Sequence, residues 1–157
     1  MSYTVRAQAI PDSMLHWRYT TKTDEMSGEK TYMATVFSPD TIPMDLGGNN
    51  VACFLFEFRG KTISPIMRFA HGNISSSAPG AQIKFDDEPA EYYLGDVTSD
   101  NFDVIYFTLG KRILKKMLTA HKVMIRVDFY KEGLKILHFN VDGLKPPGAW
   151  ESWSYYC

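Results

Sequence analysis

Along residues 15–21 apolar and polar positions alternate. Leu15, Trp17 and Tyr19 interleave with His16, Arg18 and Thr20, the period of two that marks a strand with one buried face. Asp24-Glu25-Met26-Ser27-Gly28-Glu29 follows and predicts a turn in which Gly28 takes a positive φ. Residues 30–37 resume the alternation, with Tyr32, Ala34 and Val36 on one face. The two segments predict a hairpin.

Residues 38–50, SPDTIPMDLGGNN, are rich in Pro, Gly and Asn and predict a loop. Residues 51–58 form an unbroken apolar run, as in a central strand covered on both faces. Arg59-Gly60-Lys61-Thr62 reads as a tight connection, and residues 63–69 pair back. Pro65 places that strand at an edge or a bulge. Residues 71–80 predict a loop. Residues 82–85 and 90–94 are short strands around the Asp86-Asp87-Glu88-Pro89 turn, and residues 103–107 form another.

Between Leu109 and Ala120 the period changes. Ile113, Leu114, Met117 and Leu118 share one helical face, and Lys111, Arg112, Lys115 and Lys116 fill the other. The clearest hairpin comes last. Val123, Ile125, Val127 and Phe129 alternate with Met124, Arg126, Asp128 and Tyr130, and Lys131-Glu132-Gly133 makes the turn. On the return strand Leu134, Ile136 and His138 lie on one face, and Leu137, Phe139 and Val141 on the other. Many short strands at close spacing predict a mainly β fold, an antiparallel β-sandwich or half-open barrel. The single short helix, in the C-terminal half, packs over an open end or across a sheet edge. The division is an N-terminal arm at 1–14, a β domain at 15–144 and an aromatic C-terminal tail at 145–157.

Composition agrees with this outline. The 157 residues suit one domain, and the aromatic fraction of 14% favours pleated, half-buried surfaces. A net charge of −1 gives no field that would draw nucleic acid or an anionic membrane. No apolar segment approaches the roughly 20 residues that span a bilayer, and the first residues lack the core of a signal peptide. The chain as given therefore reads as soluble and cytoplasmic, or periplasmic or envelope-bound if a leader has been removed. Cys53 sits in an apolar run and Cys157 ends the chain; no disulfide is expected between them.

Candidate chemistry is sparse. Asp86, Asp87 and Glu88 lack the spacing of a cation loop and read as a solvated hairpin turn. Asp40 followed by Glu57-Phe58-Arg59 has the outline of a metal-dependent nuclease, but Arg59 replaces the lysine, and arginine is a poor general base. His16, His71, His121 and His138 are scattered and lack zinc-ligand spacing. Only His71, in a loop beside Gly72, looks free for chemistry. No nucleophile elbow or Cys-His signature occurs. Gly47-Gly48 lacks the following residues of a phosphate loop. No metal or other cofactor is expected.

Two features suggest a binding partner. The basic helix face of Lys111, Arg112, Lys115 and Lys116, with Lys122 just beyond, is either solvated or meets phosphates or an acidic partner. It carries no interleaved aromatic platforms, which weighs against nucleic acid. Trp150, Trp153, Tyr155 and Tyr156 crowd the C-terminal tail. They are either anchors for a partner or a cover for a sheet edge or groove.

Several segments in order resemble a known family: Trp17-Arg18-Tyr19, the stretch from Asp24 to Ala34, Ile83-Lys84-Phe85-Asp86-Asp87-Glu88-Pro89, and the closing hairpin from Val123 to Leu144. This order is similar to that of small, mostly exported bacterial and phage proteins of unassigned activity, related to an accessory protein encoded with type VI secretion systems. The resemblance implies a β-sandwich-like fold, a non-catalytic role and no catalytic residues. The chain departs from that family in two ways. It has no lipid-attachment cysteine near its start, and residues 67–81 lack the cysteine pair that many relatives place before the Phe85-Asp86-Asp87-Glu88-Pro89 strand. Both departures fit a reducing compartment.

The functional expectation is a non-enzymatic protein-binding module, such as an inhibitor, immunity or accessory protein of phage or bacterial origin. An exported envelope or secretion-associated accessory protein is the alternative. A small metal-dependent hydrolase or nuclease using Asp40, Glu57 and His71 is the second alternative.

Overall fold

The computed structural model describes residues 10–43, 49–75, 79–98 and 101–145, with only the backbone at 49, 98, 101 and 102. One turn of 3-10 helix at Asp12–Met14 precedes the first strand. The strands are β1 (Arg18–Thr23), β2 (Lys30–Phe37), β3 (Ile42–Pro43), β4 (Asn49–Asn50), β5 (Ala52–Arg59), β6 (Thr62–Phe69), β7 (Gly80–Phe85), β8 (Glu91–Thr98), β9 (Asn101–Phe107), β10 (Lys122–Phe129) and β11 (Gly133–Asn140); the helix is α1 (Gly110–Thr119). Nine strands form one antiparallel sheet in the order β1-β2-β5-β6-β9-β8-β7-β10-β11, and β3 pairs with β4 alone. Among the described residues the fold is mainly β with one α-helix, as the hydrophobic pattern predicts.

The sheet is not closed. It curls until its end strands approach, and side chains bridge the remaining gap. The Trp17 indole N–H donates to the Val141 carbonyl at 2.9 Å. The Lys145 amide donates to the Tyr19 hydroxyl at 2.9 Å. One continuous sheet whose ends meet without pairing has the form of a half-open barrel.

The inward positions of all the long strands build one core. Phe54, Phe56 and Phe58 on β5, Ile105 on β9, Ile83 on β7 and Ile125 on β10 are fully buried there. Phe69 and Phe129 meet edge to face with ring centres 4.8 Å apart. Burying each such side chain stabilises the fold by about 1.5–3 kcal/mol. On the outer face of β5 and β6, Leu55 and Ile66 form a second small cluster with Val104 of β9, so β5 is buried on its inner face and, on its outer face, at Leu55 alone, with Cys53 and Glu57 half-buried.

Helix α1 turns Ile113, Leu114 and Met117 into the core. Its first residue, Gly110, lies against the Ile63 carbonyl of β6, and a side chain there would overlap that oxygen. The prediction of an edge strand is corrected, because β6 lies inside the sheet between β5 and β9. Pairing with β9 begins only at Ile66. The same register sets Pro65 beside Phe107, the last residue of β9, so the proline falls at the end of that ladder, where its missing N–H interrupts no continuing run of bonds.

Other boundaries also shift. The first strand begins at Arg18, so Trp17 precedes it; its burial comes from docking against the opposite end of the sheet. The predicted loop at 38–50 contains the β3–β4 ribbon. Strand β8 runs past Leu94 to Thr98, because Gly95 pairs with Phe107 of β9. A side chain at Gly95 would come within 2.6 Å of Ile105 Cγ2, so the glycine lets the strand continue close to its neighbour.

Candidate binding face

The outer face of β8, β7, β10 and β11 carries side chains that solvent should disfavour. Ladder pairing sets them in rungs across the strands. One rung is Tyr92, Gln82, Arg126 and Ile136. Beside it on one side lie Leu94, paired with Gly80, and Leu134, paired with Asp128. On the other side lie Lys84, Met124 and His138. Leu134 is 62% exposed, Leu94 56%, Tyr92 51% and Ile136 46%. Single exposed apolar residues are ordinary, whereas adjoining ones make a candidate contact surface. Arg126 sits among them, hydrogen bonded to Gln82. It forms no ion pair among the described residues, unlike Arg59 with Glu29 and Arg112 with Glu91.

At the Lys84 end the face opens into a depression of about 970 Å³ that includes Asp86, His121, Lys122, His138 and Asp142. Here His121 Nδ1 meets Asp142 Oδ1 at 2.8 Å, and His138 Nδ1 meets Asp40 Oδ2 at 2.8 Å. Asp40 Oδ2 also accepts the His138 amide at 2.7 Å, which ties the segment after β2 to β11. Asp86 Oδ1 accepts the amides of His121 and Lys122 at 2.9 and 2.8 Å. The Lys122 and His121 amides hold its carboxyl below the usual range. Asp86 thus anchors the β7–β8 turn to the start of β10, a structural task.

No Ser, Thr, Cys or Tyr is among the described residues lining the depression, so neither histidine has a side-chain nucleophile beside it there. Among the described residues no three His, Cys, Asp or Glu side chains are grouped to hold a metal.

The residues singled out from sequence fall in different places. Trp150, Trp153, Tyr155 and Tyr156 lie outside the described residues. On α1, Lys111 and Lys115 are exposed. Arg112 pairs with Glu91 at 2.6 Å, and Lys116 with Glu88 at 3.0 Å. Lys116 also stands 5.6 Å over the Phe85 ring, and Arg112 5.7 Å over Tyr93. Half of the basic face therefore fastens the helix to β7, β8 and the turn between them. In the acidic turn, Asp86 serves the backbone, Glu88 serves Lys116, and Asp87 is exposed on the rim of the depression.

The proposed hydrolase set is not assembled. Asp40 contacts His138. Glu57 lies opposite Met33 and Ser64, four positions along β5 from Cys53, which pairs with Phe37 at the end of β2. That spacing alone is about 13 Å, and Asp40 lies beyond it. His71 is tied through its backbone to buried Asn50, donating to Oδ1 at 2.9 Å and accepting from Nδ2 at 2.7 Å. The histidines that engage carboxylates around the depression are His121 and His138. Cys53 carries a free thiol, and burial raises its pKa, which disfavours the reactive thiolate.

The fold and face define a class, an open antiparallel β sheet whose outer face exposes a few apolar side chains among charged ones. No protein family, curated protein or solved structure matches the chain. No helix among the described residues is long and apolar enough to cross a membrane.

Proposed function

We propose that this chain is a protein-binding module that catalyses no reaction, and that it binds through the outer face of β8, β7, β10 and β11. One observation carries the reading: Tyr92, Leu94, Leu134 and Ile136 stand exposed on adjoining rungs of one sheet face. Each keeps apolar area in water that association would remove, at roughly 25 cal/mol per Å². Aromatic and Arg anchors characterise the energetic centres of protein interfaces, and Tyr92 and Arg126 supply both here.

The test places a photoreactive amino acid at Ile136, with a control at Thr20 on the exposed β1 strand. Irradiation in host lysate is expected to give discrete protein adducts at position 136 and none at position 20. Equal labelling at both positions would remove the reading.

A further inference from the structure

We propose that the partner of this face is a second copy of the chain, docked face to face about a two-fold axis. The inference rests on the protein-binding reading above and specifies its partner.

The argument comes from the order of charges along the strands. Lys122 and Lys84 stand at one end of the face, and Asp128 and Asp96 at the other. All four are at outward positions, since the alternate residues Val123, Ile83, Val127 and Gly95 are buried. None of the four forms an ion pair among the described residues. The lysine rung at Met124 and the Asp128 rung are four residues apart on β10, about 14 Å. A uniformly acidic or basic partner would meet like charge at one end. A copy of the same face, turned end for end, meets opposite charge at both.

The register makes this specific. Consider a two-fold axis lying in the face, across the strands, between the Arg126 rung and the Asp128 rung. Rotation carries each rung onto its neighbour while keeping its strand. Arg126 then faces Asp128 of the second copy, Ile136 faces Leu134, and Tyr92 faces Leu94. Lys84 is carried towards the Asp96 end. Both charges of the centre are matched and the exposed apolar side chains cover one another, as an isologous interface requires. Asp86 and Asp142, at the lysine end, are already engaged by backbone amides and by His121. Single-stranded nucleic acid fits less well, because Leu94, Leu134 and Ile136 offer no stacking surface.

Four strands make the face only about 19 Å wide, towards the small end of stable interfaces. The dimer is accordingly expected to dissociate in the micromolar range. Sedimentation velocity on the purified full chain, from about 5 to about 500 µM, should show the mass doubling. Arg126→Asp and Asp128→Arg should each weaken association about tenfold or more, by placing like charges opposite one another. The double variant R126D/D128R should restore it, since the swap keeps the pairing. L134K/I136K should be monomeric with an unchanged unfolding transition.

A monomer throughout the range overturns the inference, as does a dimer indifferent to the single reversals and to L134K/I136K. If the purified chain is monomeric but position 136 still crosslinks a different protein in lysate, the second copy is wrong and the protein-binding reading stands. If neither occurs, both fall. A monomer that binds a fluorescent oligothymidine and loses it on R126D would assign the face to nucleic acid instead.

Discussion

The indole Nε1 of Trp17 donates to the carbonyl oxygen of Val141 at 2.9 Å, across a sequence separation of 124 residues. Trp17 directly precedes β1 and Val141 directly follows β11, so this bond joins the two ends of the open sheet. The ring also packs on Phe56, with centres 6.0 Å apart. Trp17→Phe keeps much of the packing and leaves the buried carbonyl without its indole donor, a loss expected to cost about 1–3 kcal/mol. Trp17→Ala removes the packing as well and should cost about 3–5 kcal/mol. Guanidinium unfolding measures both. A Trp17→Phe variant within about 0.5 kcal/mol of the parent would mean that the seam adds nothing to stability.

Asp40 and His138 form a second stitch across the same gap, with Asp40 Oδ2 accepting the His138 amide. The His138 side chain is exposed and that of Asp40 half-buried, so Asp40→Ala should cost about 1 kcal/mol or less globally. Its effect should be local. Hydrogen exchange at the His138 amide should accelerate, while the Ile125 amide in the centre of β10 keeps the protection set by global unfolding. An unchanged rate at His138 would show that the amide is protected by something other than this carboxylate.

How much of this was legible in the chain depended on the range of each interaction. The β10–β11 hairpin and α1 are local, and their periods of two and 3.6 place them within a residue or two. Alternation places Trp17 in a strand, because it cannot distinguish a strand residue from one docked across 124 positions. Pro65 suggests an edge because a proline cannot donate to a ladder, and its place at the end of the β6–β9 pairing is set by a strand some forty residues away. The candidate face was hidden for a related reason. Leu134 and Ile136 were visible as apolar residues opposite Leu137 and Phe139, which was the available signal. Yet β8 and β11 share one face only because β7 and β10 lie between them, and that order is set by non-local pairing. Residue type drew attention to Arg112 and Lys116 instead, whose acidic partners lie 21 and 28 positions away.

Gly110 opens a helix, where alanine would ordinarily improve stability by up to about 1 kcal/mol. Here the sign should reverse. A Cβ at this position would overlap the Ile63 carbonyl oxygen and reach within 3.3 Å of Pro65 Cδ. The clash is with backbone, so relief requires the helix to lift from β6. Gly110→Ala is expected to lose about 1–3 kcal/mol by urea unfolding. A stabilised variant would show that α1 is not seated on β6 as described.

Asp86 gives the fold a pH dependence whose sign follows from its contacts. Its carboxylate accepts the Lys122 and His121 amides, and these bonds hold its pKa below the ordinary value. The folded chain therefore binds a proton here less readily than the unfolded chain. The stabilisation is complete above the unfolded aspartate pKa, about 3.9, and is lost as pH falls through the lower folded value. Asp86 also has a φ of 48°, a left-handed conformation that asparagine tolerates better than alanine does. Asp86→Asn is thus the informative substitution, because it removes the charge without adding backbone strain. Unfolding curves at pH 7, 5, 4 and 3 should show the variant less stable at neutral pH and the gap closing at the acid end. A gap that stays constant with pH would mean that the ionised carboxylate does not anchor the β7–β8 turn to β10.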